Sequence, residues 1–136
     1  MQTFLPHTDF KKVAKVLDYR RLGKQRVEAV QILNAIHAKS GWSNHPAVLM
    51  WIGFEEALKE YCNTMIFEWI FRGYKNTMKL FETNNVIYPW WLGKRVLHSS
   101  HRANLLRKDF GYYSKYGWKE EPQQGYYWPV RKENLC

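Results

Sequence analysis

"VLDYRRLGKQRVEAV", residues 16–30, is the stretch whose reading decides the fold. Its apolar residues Val16, Leu17, Leu22, Ala29 and Val30 run on to Leu33 and Ile36 at the spacing of an amphipathic helix. Thr8 or Asp9 is a suitable cap, so the pattern predicts one helix from about Phe10 to Ala38. Gly23 interrupts it at a cost of about 1 kcal/mol against Ala. The helix therefore bends there, or a neighbour approaches its backbone closely. Arg20, Arg21, Lys24 and Arg26 sit among the apolar residues with a single acid, Glu28. At about 100° per residue, Arg21, Lys24, Gln25 and Glu28 share one face, while Arg26 leans towards the buried side. Alone, this is a solvated face with a Lys24–Glu28 pair worth about 0.3 kcal/mol. The sharper reading sets the cations against phosphates and leaves Glu28 as the one group able to move protons. A carboxylate among cations stays ionised, which suits a base or a stabiliser of a cationic intermediate.

Further along, Pro46 is acceptable at a first helical position. Val48, Trp51, Ile52, Ala57, Leu58, Tyr61, Met65, Ile66, Trp69 and Ile70 keep helical period from there to about Arg72, and Gly73 is a fitting stop. Residues 39–46 and 73–93 read as loops. Ser99 or Ser100 can cap a third helix, "HRANLLRKD", ending near Gly111, and the aromatic tail beyond it reads as non-helical. The expected class is all-α: a single domain over residues 1–136, three main helices with long aromatic-rich loops and an irregular C-terminal tail.

A chain of 136 residues with 46% hydrophobic and 17% aromatic content can bury a core without staples. Its net charge of +9 favours an anionic partner, nucleic acid before an acidic membrane surface. The charge is localised. Residues 11–26 hold seven Lys/Arg against Asp18, a net +6, and residues 94–115 hold six against Asp109, a net +5. Cys62 and Cys136 form no metal or disulfide framework, which points to a reducing compartment. The start "MQTFLPHTDF" resembles no targeting peptide, and no apolar run approaches the roughly 18 residues of a membrane span. The expected location is the cytoplasm, with the nucleoid, or the nucleus where the host has one. A monomer is the default from size.

In the second basic segment, Ser99 and Ser100 at a helix start make an anion site to which His101 and Arg102 can add. His98 and His101 are three apart, but no carboxylate or Cys joins them at ligand spacing, so no metal is expected. His45, just before a helix, reads as a loop hydrogen-bonder. Tyr112, Tyr113, Tyr116 and Trp118 surround Lys115 and either pack on the core or offer faces for displaced bases. No phosphate-binding loop, dinucleotide fingerprint or nucleophile elbow is present.

Three of these stretches together resemble the endonuclease V-type pyrimidine-dimer DNA glycosylases, small all-α base-excision enzymes. They are "DYRRLGK" (18–24), "HPAVLMWIGFEEALKEYCNTMIFEWIFRGY" (45–74) and "YYSKYGW" (112–118). The resemblance implies double-stranded DNA with a lesion or modified base as partner, and no cofactor. It also implies a free N-terminal amine that attacks C1′ of the damaged nucleotide, expels the base and forms a Schiff base, followed by strand cleavage at the abasic site. An α-amine suits this because its ordinary pKa of about 7.7–8.0 leaves much of it unprotonated near neutrality. Gln2 and Thr3, next to that amine, join Arg20, Arg21 and Lys24 as expected DNA contacts.

Two positions depart from the family pattern. Where the family places its glutamate after Tyr-Arg, this chain has Arg21. Gln2 is too large for removal of the preceding methionine, so the amine belongs to Met1. Glu28, about two turns beyond Arg21 on the same face, is the first candidate for the missing carboxylate. The expected function is a glycosylase with abasic-site lyase activity, its catalytic groups Met1 and Glu28. The alternative is a non-catalytic module that recognises distorted or modified DNA. A single-strand or RNA binder using the aromatic tail is a third reading.

Overall fold

The computed structural model describes residues 1–38 and 43–130, so part of the expected 39–46 loop and Cys136 lie outside the described residues. Six helices and one 3₁₀ turn account for the regular structure among those residues, and no strand occurs, so the class is all-α. No helix among them is long and apolar enough to cross a membrane.

The long first helix is two helices. α1 (Phe10–Val16) starts at Asp9, whose carboxylate caps the Lys11 N–H, and stops at Leu17, which is extended. α2 (Tyr19–Ala38) then begins at Asp18. That side chain accepts from the Arg21 N–H three residues on, as an N-cap does. Periodicity ran through the junction because Leu17 and Leu22 are both buried. Gly23 meets a close neighbour rather than a bend: a Cβ there would lie 2.8 Å from the Trp69 ring.

The second long helix is also divided. α3 (Pro46–Leu49) is a single turn capped by His45, and α4 (Glu55–Phe71) carries Glu55 and Glu56 in its first turn, where carboxylates offset the helix dipole. Between them Gly53 takes φ +88°, which favours glycine. α2 and α4 pack against each other around Leu22, Ala29, Ile32, Leu58, Cys62 and Met65.

α5 (Arg95–Lys108) starts four residues before the expected Ser99. Ser99 and Ser100 therefore lie inside the helix and cap nothing; their hydroxyls go to Glu120 and to the Leu97 carbonyl. The anion site expected at a helix start there does not form. The tail is not wholly irregular either. α6 (Phe110–Tyr113), capped by Asp109, leads into a 3₁₀ turn at Ser114–Tyr116 that Gly117 ends at φ +70°.

Residues 120–130 return along α5 as an extended strap. It is tied by Gln123 N–H to the Ala103 carbonyl, Asn104 to the Gly125 carbonyl, and Tyr127 N–H to Ser100 Oγ.

The extended start of the chain runs between α2, α4 and α5, and side chains answer its backbone almost residue by residue. Gln25 takes the Gln2 carbonyl (3.1 Å) and the Phe4 N–H (3.0 Å). His101 takes the Leu5 N–H (2.9 Å), His98 the Leu5 carbonyl (2.7 Å) and Arg102 the Pro6 carbonyl (2.8 Å). Buried main chain outside helices needs such partners, so this network fixes where the chain begins.

Candidate active site

Beside that fixed start lies a cleft of about 890 Å³. Met1, Gln2 and Phe4 line it, together with Asp18, Tyr19, Arg20, Arg21, Lys24, Gln25 and Glu28 from the first half of α2. His45, Lys108, Asp109, Tyr112, Tyr126 and Trp128 complete the lining. The two candidate catalytic residues, Met1 and Glu28, thus share one cleft.

Gln25 connects them. The sequence put it on the cationic face, but only 1% of it is exposed. Its Nε2 donates to the Gln2 carbonyl and, at 2.9 Å, to Glu28 Oε2. Its Oε1 accepts from Phe4 N–H and lies 2.8 Å from the Tyr61 hydroxyl, which is also 2.7 Å from the Phe4 carbonyl. A buried polar network of this kind rigidifies what it joins. Here it joins the beginning of the chain to the carboxylate.

The cations around Glu28 come from two helices. Arg21 Nη1 lies 3.2 Å from Asp18, while Arg20 and Lys24 are exposed along the same side of α2. Lys108, at the end of α5, holds its proton less tightly than usual. Partial burial is the first cause, and repulsion from Arg107, Arg21 and Lys24 follows, with Glu28 opposing. Asp18 is itself nearly buried. Burial works against its charge, but the Tyr113 hydroxyl and Arg21 outweigh it and hold the carboxyl below the usual range. Tyr113 closes the pair by accepting from Asp18 N–H at 3.1 Å.

Other expected contacts face inward. Thr3 is buried, its hydroxyl accepting from Trp51 Nε1 at 3.1 Å. Gln2 is nearly buried but reaches the cleft, hydrogen-bonded to Tyr126. His101 is buried against the Leu5 N–H, and burial first, then His98, drops its pKa to about 3. Arg102 is tied to Glu120 at 2.8 Å and to Pro6, and Tyr113 is buried beside Asp18. None of Thr3, His101, Arg102 and Tyr113 lines the cleft.

Of the aromatic cluster at residues 112–118, Tyr112 alone lines the cleft. Trp118 stacks against Tyr113 and Tyr116, and Lys115 sits 3.8 Å over the Tyr112 ring outside it.

Sequence reasoning missed Gln25, Tyr61, His45, Lys108, Tyr126 and Trp128. A signal existed for Gln25: with Leu22, Ala29 and Ile32 it completes the buried stripe of α2. Tyr126 and Trp128 carried none, because an extended strap has no periodicity that says what it packs on.

A family model for the pyrimidine dimer DNA glycosylases matches residues 1–82. The chain belongs to that family. No curated protein and no solved structure matches it at a significant level. As a pyrimidine dimer DNA glycosylase relative it is a DNA-repair glycosylase in general type, with DNA as substrate. The match contains the start of the chain, Gln25, Glu28 and His45. Lys108, Asp109, Tyr112, Tyr126 and Trp128 lie beyond it.

Proposed function

We propose that this glycosylase also cleaves abasic sites, through a Schiff base on the α-amine of Met1 with Glu28 as its carboxylate. One observation carries the reading: a single buried amide, Gln25, holds both the Gln2 carbonyl and Glu28. A nucleophile and a proton-transfer group need fixed mutual placement to act together. Duplex DNA presents its damaged nucleotide by flipping it out, at a few kcal/mol, into a cleft of this kind. The amine lone pair then forms the bond to C1′ as the C1′–N1 bond breaks, and the departing base keeps that electron pair. Glu28 takes a proton from the new ammonium and passes it to O4′ as the C1′–O4′ bond breaks, so the opened sugar carries an iminium. Loss of a C2′ proton then expels the 3′ phosphate and cuts the strand. Arg20, Arg21 and Lys24 neutralise the phosphates flanking the lesion.

Every acting group comes from one chain, so a monomer suffices, and residues 1–136 work as one unit because the cleft draws on both ends of the chain. The reaction as written calls on no cofactor. A DNA substrate puts the protein with the nucleoid in the cytoplasm, or in the nucleus where the host has one.

Borohydride reduction on a duplex with one abasic site should trap a covalent adduct, and peptide mapping should find it on Met1. Glu28→Gln should lower single-turnover cleavage by about 10²–10⁴-fold with duplex binding retained. An adduct on an internal lysine would discard the N-terminal mechanism. Binding without any adduct would support the second reading, a non-catalytic DNA-binding module. That reading draws on Arg21, which stands at the family's glutamate position and is paired with Asp18.

A further inference from the structure

Met1 shares the cleft with two unlike sets of side chains: the α2 cations Arg20, Arg21 and Lys24, and the rings of Tyr126 and Trp128 on the returning strap. The reaction written above uses the cations and leaves the rings without a task. Both rings sit close to the start of the chain. The Tyr126 hydroxyl is hydrogen-bonded to Gln2, next to Met1 in sequence. The Trp128 ring lies 5.8 Å, centroid to centroid, from that of His45. Partial burial first, and then the charge of the Met1 ammonium, holds the His45 pKa below its ordinary value, so the amine and that ring are neighbours. The strap thus brings two aromatic rings to the nucleophile.

Hydrogen bonds to Ala103, Asn104 and Ser100 along α5 hold the strap, so the rings are placed before any ligand arrives. Their faces are not used up by their neighbours. The Trp128 ring meets His45 at 87° and Tyr126 at 45°, and among the described residues no ring lies flat upon it. Trp118 shows the opposite arrangement: Tyr113 and Tyr116 stack on it at 14° and 26°, so its faces serve the fold. Tyr126 and Trp128 are half-buried, which leaves part of each ring open to the cleft they line. A fixed ring with an open face takes a nucleic-acid base by stacking. Such a contact tolerates an altered base, because it reads a flat surface rather than a hydrogen-bond pattern.

We infer that Tyr126 and Trp128 form the base subsite of the cleft, with the damaged pyrimidine stacked on Trp128 while Met1 attacks its sugar. The inference rests on the amine chemistry proposed above and adds where the base lies. C1′ is one covalent bond from the base, so a nucleotide placed for attack by Met1 carries its base among the side chains beside Met1. Arg20, Arg21 and Lys24 are left to the phosphates, and each part of the nucleotide meets the kind of side chain that suits it. The rings lie beyond residues 1–82, so the C-terminal part of this chain supplies the subsite. An abasic site has no base to stack. The strap rings therefore matter to a lesion that still carries its base and not to cleavage of a preformed abasic site.

Purified wild type, Trp128→Leu and Trp128→Phe are compared under single turnover on three duplexes. One carries a pyrimidine dimer, one the same dimer opposite residues that lack bases, and one a single abasic site. Leu keeps apolar bulk but offers no flat face. At subsaturating enzyme it should lower base release from the dimer by about 30-fold, while abasic trapping and cleavage stay within about 3-fold of wild type. Phe should recover roughly 10-fold of that loss. The loss should be the same when the opposite residues lack bases. Indole emission quenched by the dimer duplex and not by the abasic duplex should be present in wild type and absent from Trp128→Phe. That readout holds even if Trp128→Leu does not fold, and equal quenching in the two proteins would overturn the inference. Equal losses on dimer and abasic duplexes in folded Trp128→Leu would overturn it and make Trp128 a packing residue for His45. Unchanged base release with Leu would also overturn it. A loss that disappears when the opposite residues lack bases would put a base of the other strand on Trp128 and overturn it too. A wild type that is trapped at the abasic site yet releases no base from the dimer would overturn it and leave the Schiff-base reading standing. A wild type that gives no adduct at Met1 would remove the reading beneath it.

Discussion

Residues 11–26 and residues 94–115 carry +6 and +5, each around a helix, yet the two segments spend their charge differently. In the first, Arg20, Arg21 and Lys24 line the open cleft. In the second, Arg102 turns inward to Glu120 and Pro6, while His98 and His101 grip the main chain at Leu5. What separates them is the partner each side chain finds. Glu120 arrives on the returning strap and satisfies Arg102, and the buried start of the chain demands donors and acceptors from α5. The exposed side of α2 meets no such demand. Arg102, His98 and His101 of the second segment anchor the site, while the α2 cations face the cleft, joined there by Lys108 from the end of α5.

Removing Arg102 should give the largest effect on stability. Arg102→Leu leaves the Pro6 carbonyl without its donor and Glu120 with Ser99 alone in a partly buried setting, and should cost about 3 kcal/mol. Urea denaturation measures it. The salt dependence of DNA binding by the folded variant should match wild type. A shallower dependence would move Arg102 to the DNA side and break the comparison.

The buried histidines make the anchor sensitive to acid. The native His101 ring binds no proton until about pH 3, whereas in the unfolded chain it binds one below its ordinary value of 6.5. Below pH 6.5 the unfolded state therefore holds more protons, so stability is full above that pH and falls as the pH drops. The loss is about 1.4 kcal/mol per pH unit for such a group, ending near pH 3. His98, whose pKa is lowered by burial first, adds to the same limb. Denaturation midpoints between pH 7 and pH 4 test this, and His101→Asn should flatten the curve. A flat wild-type curve would mean that α5 does not hold the chain start through neutral rings.

The helical class was legible because Leu22, Ala29, Leu33 and the apolar run of α4 keep a 3.6-residue period over many turns. The breaks were not, since a cap such as Asp18 or a turn such as Gly53 interrupts the backbone without interrupting the apolar pattern. Ser99 and Ser100 misled because their hydroxyls suit a cap as well as they suit Glu120 and the Leu97 carbonyl. In the cleft, the cations of α2 and Glu28 could be singled out by residue type and spacing, and Met1 only through the family resemblance. Gln25 looked like one more surface polar group, because three of its partners, Gln2, Phe4 and Tyr61, are distant in sequence. The inward fate of Arg102 was hidden for the same reason, with Glu120 eighteen residues away on a strap that no pattern foretold.

Gly23 sharpens the comparison from the α2 side. Trp69, whose ring would meet a new Cβ at 2.8 Å, is stacked on Tyr74 at 4.4 Å and covered by Arg26 at 4.3 Å, so it has little freedom to retreat. Gly23→Ala gains about 1 kcal/mol of helix propensity and loses about 1–3 kcal/mol to overpacking, a net loss of roughly 1 kcal/mol. Thermal unfolding measures the balance. A stabilised variant would show that α2 can shift away from α4, and its cations would then not be held in a fixed line along the cleft.

Lys24 should give the smallest change in stability and the most direct test of what the α2 cations do. It is exposed, so Lys24→Gln should alter the unfolding free energy by less than about 0.5 kcal/mol. If it neutralises one phosphate, the slope of log affinity against log salt should become shallower by about 0.9. Anisotropy titrations of an abasic duplex between 50 and 200 mM salt, roughly the range over which such slopes are resolved, measure it. The paired result matters most: Arg102→Leu changes stability and leaves the slope, and Lys24→Gln changes the slope and leaves stability. An unchanged slope for Lys24→Gln would take the α2 cations off the DNA. Arg21 and Lys24 would then serve to set the field around Glu28, and the phosphate contacts at the cleft would have to come from Lys108.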